Sequence, residues 1–166
     1  MTKTVVVSET VADTAACLLD RLGPVTPHRL HKLLYYTQAW HLAWEGEAFF
    51  PDRIEAWPPG PVLPDLYAQH RGLFTLTEWP TGDASRLCGK QAETVDAILT
   101  AYGPLTSKQL VHMVCGERPW RMAREGLNPT EVGCAEITVK SMRDYYASLD
   151  RAEDAISVTE IEWETR

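Results

Sequence analysis

No two cysteines in this sequence stand at CxxC or CxH spacing; Cys17, Cys88, Cys115 and Cys134 are scattered along 166 residues. That argues against a disulfide framework or a zinc knuckle, and three of the four lie in or beside helical patterns, where they read as reduced, small hydrophobic residues. Basic residues are scarce too: 16 Lys and Arg stand against 23 Asp and Glu, a formal charge of −7. That balance disfavours a nucleic-acid partner and suits a basic protein better. Apolar runs of membrane-spanning length are missing. The run Val5-Val6-Val7 is too short for a signal-peptide core and lacks a cleavage site, so a cytoplasmic, reducing location is expected. There is no repeat, no low-complexity tract and no phosphate loop, since Gly60 is followed by Pro61-Val62-Leu63, which offers neither a run of free N–H groups nor a lysine.

What the chain does have is aromatic mass, concentrated between Leu30 and Tyr67. Thr26 is placed to cap a helix and Pro27 to open it, because proline's missing N–H is not needed at the first helical position. From there Leu30, Leu33, Leu34, Thr37, His41 and Trp44 form one stripe, and Tyr36, Ala39, Trp40 and Ala43 a second beside it. A helix apolar on most sides is a central one, with other helices packed around it. Gly46 ends it and Pro51 blocks continuation. Ile54 to Trp57 reads as a short extended segment stopped by Pro58-Pro59-Gly60-Pro61, and Pro64 to His70 as a short helix closed by Gly72.

The remaining elements follow the same logic. Residues 1–7 are a lead-in, either a frayed tail or an edge strand. Val11, Ala15, Leu18, Leu19 and Leu22 predict an amphipathic helix capped by Ser8 or Thr10 and stopped at Gly23-Pro24. Residues 73–89 hold at most one short strand and a loop. A helix is expected from Lys90 to Gly103, and another from Ser107, where Thr106 and Gln109 make a capping box with Leu105 and Leu110 as its staple. Short and last helices are predicted from Pro119 and from Thr138. In the tail, 150–166, Ile156, Val158, Ile161 and Trp163 alternate loosely, as an edge strand or a segment ordered by a partner would. The fold expected is a mainly α single-domain helical bundle, 8–149, around one central apolar helix, with a minor β element.

Four places in the sequence carry residues with chemical potential. Cys115 and His112 share a helix face, but a thiol at a helix C-terminus is not helped to ionise, so a catalytic cysteine is not expected. His28 and His31 are the only close histidine pair, without a third ligand nearby, and read as polar residues at an exposed helix start; no metal or cofactor is expected. Arg118, Arg121 and Arg124, at i, i+3 and i+6, make residues 105–124 resemble a helix-turn-helix, the alternative reading as a DNA-binding regulator, with a solvated face as the bland explanation. Trp57 stands before a rigid proline turn that serves a preorganised binding edge and a purely structural turn equally well.

The stretch KLLYYTQAWHLAWEGEAFFPDRIEAWPPGPVLPDLYAQHRG, Lys32 to Gly72, resembles the signature of the SocA-like antitoxin family, the Panacea domain. Tyr102-Gly103, Leu110, His112, Glu117 to Arg124, Ile137 and Tyr145-Tyr146 resemble its later blocks, so the likeness spans roughly residues 10–149. It implies a non-enzymatic antitoxin of a toxin–antitoxin pair that neutralises a co-encoded toxin by direct binding. For the founding type it also implies an adaptor role, delivering the toxin to a Clp protease. On that reading the partner-binding residues expected are Trp57, Gly60, Pro61, Glu117, Trp120, Arg121 and Arg124, a mixture of Trp, Arg and rigid Pro of the kind enriched at interface hot spots.

Overall fold

In the structure, a computed structural model, every residue of the helix α2 (Pro27–Glu45) from Leu30 to Leu42 is buried. The structure describes residues 7–164, with side chains to residue 152. Most of the expected lead-in, residues 1–6, lies outside the described residues. Around α2 are packed α1 (Glu9–Leu22), α4 (Lys90–Tyr102), α5 (Ser107–Gly116) and α7 (Val139–Glu164), with a hairpin of β1 (Glu55–Trp57) and β2 (Gly60–Val62) against its first half. The smaller helices are α3 (Pro64–His70), α6 (Arg118–Ala123) and a 3-10 turn, Ala84–Arg86. None of these helices is long and apolar enough, among the described residues, to cross a membrane.

A helix buried on all sides must satisfy its polar groups internally. The Gln38 side chain accepts from the N–H groups of Phe49 and Phe50 at 2.7 and 3.3 Å and donates to the Phe50 carbonyl at 2.8 Å, pinning the chain that follows α2. Trp40 donates to the Tyr102 hydroxyl at 2.8 Å, and His41 bonds the Thr94 hydroxyl at 2.8 Å, tying α2 to α4. Tyr36 stacks on Tyr102, ring centres 4.0 Å apart. Trp44, expected in the buried stripe, is instead 40% exposed, because the last turn of α2 projects past the core; it stacks on Trp40 and donates to Asp150.

The local start signals work as read. Ser8, Thr26 and Thr106 each accept from a backbone N–H of the first turn, and both halves of the Thr106–Gln109 capping box form. Three expectations are corrected. The proline turn hosts a strand, since β2 contains Pro61. Pro61 stands opposite Ala56, whose N–H turns away to the Ala135 carbonyl at 2.8 Å, so the hairpin asks nothing of the N–H that proline lacks. The tail is not a strand: α7 continues through it to Glu164. No Gly or Pro interrupts residues 150–164, and extending an existing helix needs no new nucleus. Finally, the four cysteines are free, but Cys88 and Cys134 are exposed rather than small core residues.

Candidate functional site

The two stretches expected to meet a partner are brought together. β1 ends at Trp57, and the Trp120 indole of α6 donates to the Trp57 carbonyl at 3.0 Å. Beside it the Arg124 guanidinium donates to the Ala56 carbonyl at 2.9 Å and to main-chain carbonyls of the 128–131 loop, while lying 5.0 Å from the centre of the Trp120 ring. At Gly60 β2 passes close to α2: a Cβ there would stand 2.9 Å from Cε of Lys32. Its use is close approach, not a left-handed backbone.

Gly60, Pro61, Trp120 and Arg124 are therefore buried. They build the face and do not present themselves to a partner. Trp57 and Glu117 are part-buried, and Arg121 is exposed. The basic stripe of the helix-turn-helix reading loses its third member, because the Arg124 head group is consumed by carbonyls inside the fold; Arg118 and Arg121 remain outside, on a helix of only six residues.

Glu117 joins α5 to α6, and its carboxylate is held by two tyrosines, Tyr36 at 2.5 Å and Tyr146 at 3.1 Å; Tyr35 and Tyr146 share a third bond at 3.1 Å. Burial raises the Glu117 pKa, partly offset by the two tyrosine donors. This network locks α2, α6 and α7 together, a role that hydrogen-bond geometry explains without invoking a partner.

Lys32 is buried as well, with one hydrogen bond, to the His28 carbonyl at 3.2 Å. Burial lowers its pKa to about 8. The nearby Cys115 thiol donates to the Pro59 carbonyl at 3.1 Å and has its pKa raised, chiefly by burial, against the pull of Lys32 and Arg124. That is the opposite of an activated nucleophile.

The histidine that pairs with His31 is not His28, its neighbour in sequence. His31 is buried and its partner is His70 of α3, Nε2 to Nε2 at 2.7 Å, while its Nδ1 accepts from the Leu63 N–H at 3.1 Å. Those bonds fix the tautomers. Nδ1 of His31 carries no proton, so Nε2 does, and it donates to the lone pair of His70. A metal on either facing nitrogen would have to displace this bond. Among the described residues no three His, Cys, Asp or Glu side chains gather as a metal site would need. The signal missed was long-range: 39 residues separate the two rings.

His31 and His70 form part of the wall of a groove of about 440 Å³ between the start of α2, the hairpin and α3, which Trp57, Tyr67, Leu73 and Phe74 also line. On the other side of the hairpin tip a second groove, about 610 Å³, runs past Pro59, Cys115, Trp120 and Arg121. The 58–59 turn thus stands as a ridge between two hollows.

Among known protein families, the model described as antitoxin SocA-like, Panacea domain, matches residues 30–121, which hold α2 from Leu30 onward, the hairpin, α3 to α5 and Arg118 to Arg121 of α6. No curated protein and no solved structure matches the chain.

Proposed function

The chain belongs to the SocA-like antitoxin family, Panacea domain, and from that membership we propose that it is the antitoxin of a toxin–antitoxin pair, neutralising a co-encoded toxin in the cytoplasm by direct protein–protein contact. The observation that carries the reading is the family match over more than half the chain, which includes Trp57 to Leu63 and the Glu117–Arg121 part of the second stretch. The ridge at 58–59 supports it. Trp57 and Arg121 offer the aromatic and guanidinium groups that dominate interface energetics, and the part-buried Trp120–Trp57 bond fixes the ridge before any partner arrives, which lowers the ordering cost of association. The net charge of −7 favours encounter with a basic toxin.

Delivery of the bound toxin to a Clp protease is the finer part of this reading, and it requires that toxin turnover in cells depend on this chain. The deciding experiment is co-expression of the neighbouring small reading frame with and without this chain, scored by growth. Rescue is expected, together with co-purification of the two products. Toxicity unrelieved by this chain would defeat the proposal.

A further inference from the structure

On a chain with seven more acidic than basic charges, no carboxylate of the described residues lines the groove between α2, the hairpin and α3. Its basic lining is His28, His31, His70 and Arg71. Arg71 is exposed, and no ion pair of the described residues involves it. The other walls are apolar: the rings of Trp57, Tyr67 and His70 follow one another edge to face at 5.2 and 5.3 Å. Phe74 stands 89% exposed and Leu73 56% exposed at the rim. Two large apolar side chains left in water beside an aromatic hollow mark a contact surface, and a free guanidinium at its edge says what the contact carries.

We propose that this groove receives an acidic-hydrophobic segment of the protein partner: an aromatic or large aliphatic side chain enters against Trp57 and Tyr67, under Phe74, and a following carboxylate pairs with Arg71. The inference rests on the antitoxin reading and refines it, because the acidic body of the chain attracts a basic partner while this hollow, with aromatic walls, Arg71 at its edge and no carboxylate in its lining, selects the segment that docks. The neighbouring groove does not share this character, since Glu125 lines it beside Arg121 and Arg124. The pair His31–His70 stays neutral and hydrogen-bonded within the wall, so the selectivity falls on Arg71.

The test uses the full chain and two synthetic probes, acetyl-Gly-Trp-Leu-Asp-Glu-Gly-amide and its twin with Lys-Lys in place of Asp-Glu, titrated by fluorescence anisotropy and by amide chemical shifts. The acidic peptide is expected to bind about tenfold more tightly than the basic one, the equivalent of about 1.4 kcal/mol, with shifts centred on Trp57, Tyr67 and Phe74. Arg71→Glu should abolish or invert the preference, and Phe74→Ser should weaken both peptides. Both side chains are exposed, so neither change threatens folding. Equal binding of the two peptides, or shifts elsewhere, overturns the proposal. So does occupancy of the groove by indole-3-propionate with exclusion of both peptides, or a dimer in solution that Phe74→Ser dissolves. In the growth assay, neutralisation by Arg71→Glu and Phe74→Ser as good as wild type removes the groove and leaves the antitoxin reading standing. Failure of wild type to rescue removes that reading, and the inference with it.

Discussion

Trp120 donates its indole N–H to the carbonyl of Trp57, 63 residues earlier in the chain, and so makes one unit of a hairpin and a helix that the sequence keeps far apart. The ring is buried, and the Arg124 guanidinium lies over it. Trp120→Ala should therefore cost about 3–5 kcal/mol, the range for deleting a buried aromatic side chain. Trp120→Phe should cost less but leave the Trp57 carbonyl short of a donor, a loss of roughly 1–3 kcal/mol. Urea unfolding of both variants measures this; a Trp120→Ala midpoint indistinguishable from wild type would mean that the ring faces solvent.

Lys32 presents a different balance. Its ammonium is buried with a single carbonyl partner and no carboxylate, and its pKa is lowered by burial to about 8. The folded state thus releases the proton at a lower pH than the unfolded chain, whose lysine holds it to 10.5. The penalty is full below pH 8 and is relieved as pH rises from about 8 to 10.5. Lys32→Met, similar in length and without charge, is expected to be more stable than wild type at pH 7 by roughly 1–3 kcal/mol, with wild type closing the gap by pH 10.5. A variant less stable at pH 7 would show that the ammonium is net favourable where it lies.

The pair His31 and His70 has no room for an added proton. Protonating His31 on Nδ1 breaks its bond from the Leu63 N–H, and protonating His70 on Nε2 sets a donor against the donor of His31. Burial accordingly pushes both imidazoles below their ordinary 6.5, His31 further lowered by His70, Lys32 and His28. A base with a depressed folded value contributes stability that is present above 6.5 and lost as pH falls through the folded value. Wild type should lose stability between pH 7 and 5 relative to His70→Phe, which is itself weaker at pH 7 by roughly 1–3 kcal/mol because the His31 N–H is left without an acceptor. Parallel pH profiles for the two proteins would remove the pair from the acid response.

How much of this could be read in advance depends on the range of the signal. The starts of α1, α2 and α5 were legible because a cap is local: Ser8, Thr26 and Thr106 lie within three residues of the N–H groups they bond. The centrality of α2 was legible from its twin stripes. β2 was hidden by Pro61, whose defect matters only on the bonded side of a ladder, and that side depends on where Ala56 points. The tail's alternation of Ile156, Val158 and Ile161 imitated a strand, and continuity with α7 overrode it. At the site, the fold brings Trp57 and Ala56 against Trp120 and Arg124, an adjacency that the sequence does not show. The individual roles were not legible. A sequence shows that Arg118, Arg121 and Arg124 share a period, but only the fold shows the last of them turned toward Ala56. The groove escaped notice for the same reason, since His31, Trp57, Tyr67 and Phe74 converge from four segments.

That division between builders and presenters makes the functional test sharper. Trp57 and Arg121 are at the surface of the ridge, whereas Trp120 and Arg124 hold it from behind. Arg121→Glu should leave the thermal midpoint within the small range of exposed substitutions, about 0.5 kcal/mol or less, yet, on the proposed reading, weaken co-purification of the neighbouring gene product and growth rescue by reversing a charge where the toxin is proposed to dock. Trp57→Ala should act similarly but cost some stability, since its indole N–H bonds Glu55 at 2.9 Å and its ring edges Tyr67. Trp120→Ala, by contrast, should lose rescue and stability together. The informative comparison is the ratio of the two losses in each variant. A contact residue loses rescue at unchanged midpoint, and a builder loses both in proportion. If Arg121→Glu and Trp57→Ala rescue as wild type does, the ridge is not the toxin-binding face, and the partner must meet another surface of the bundle.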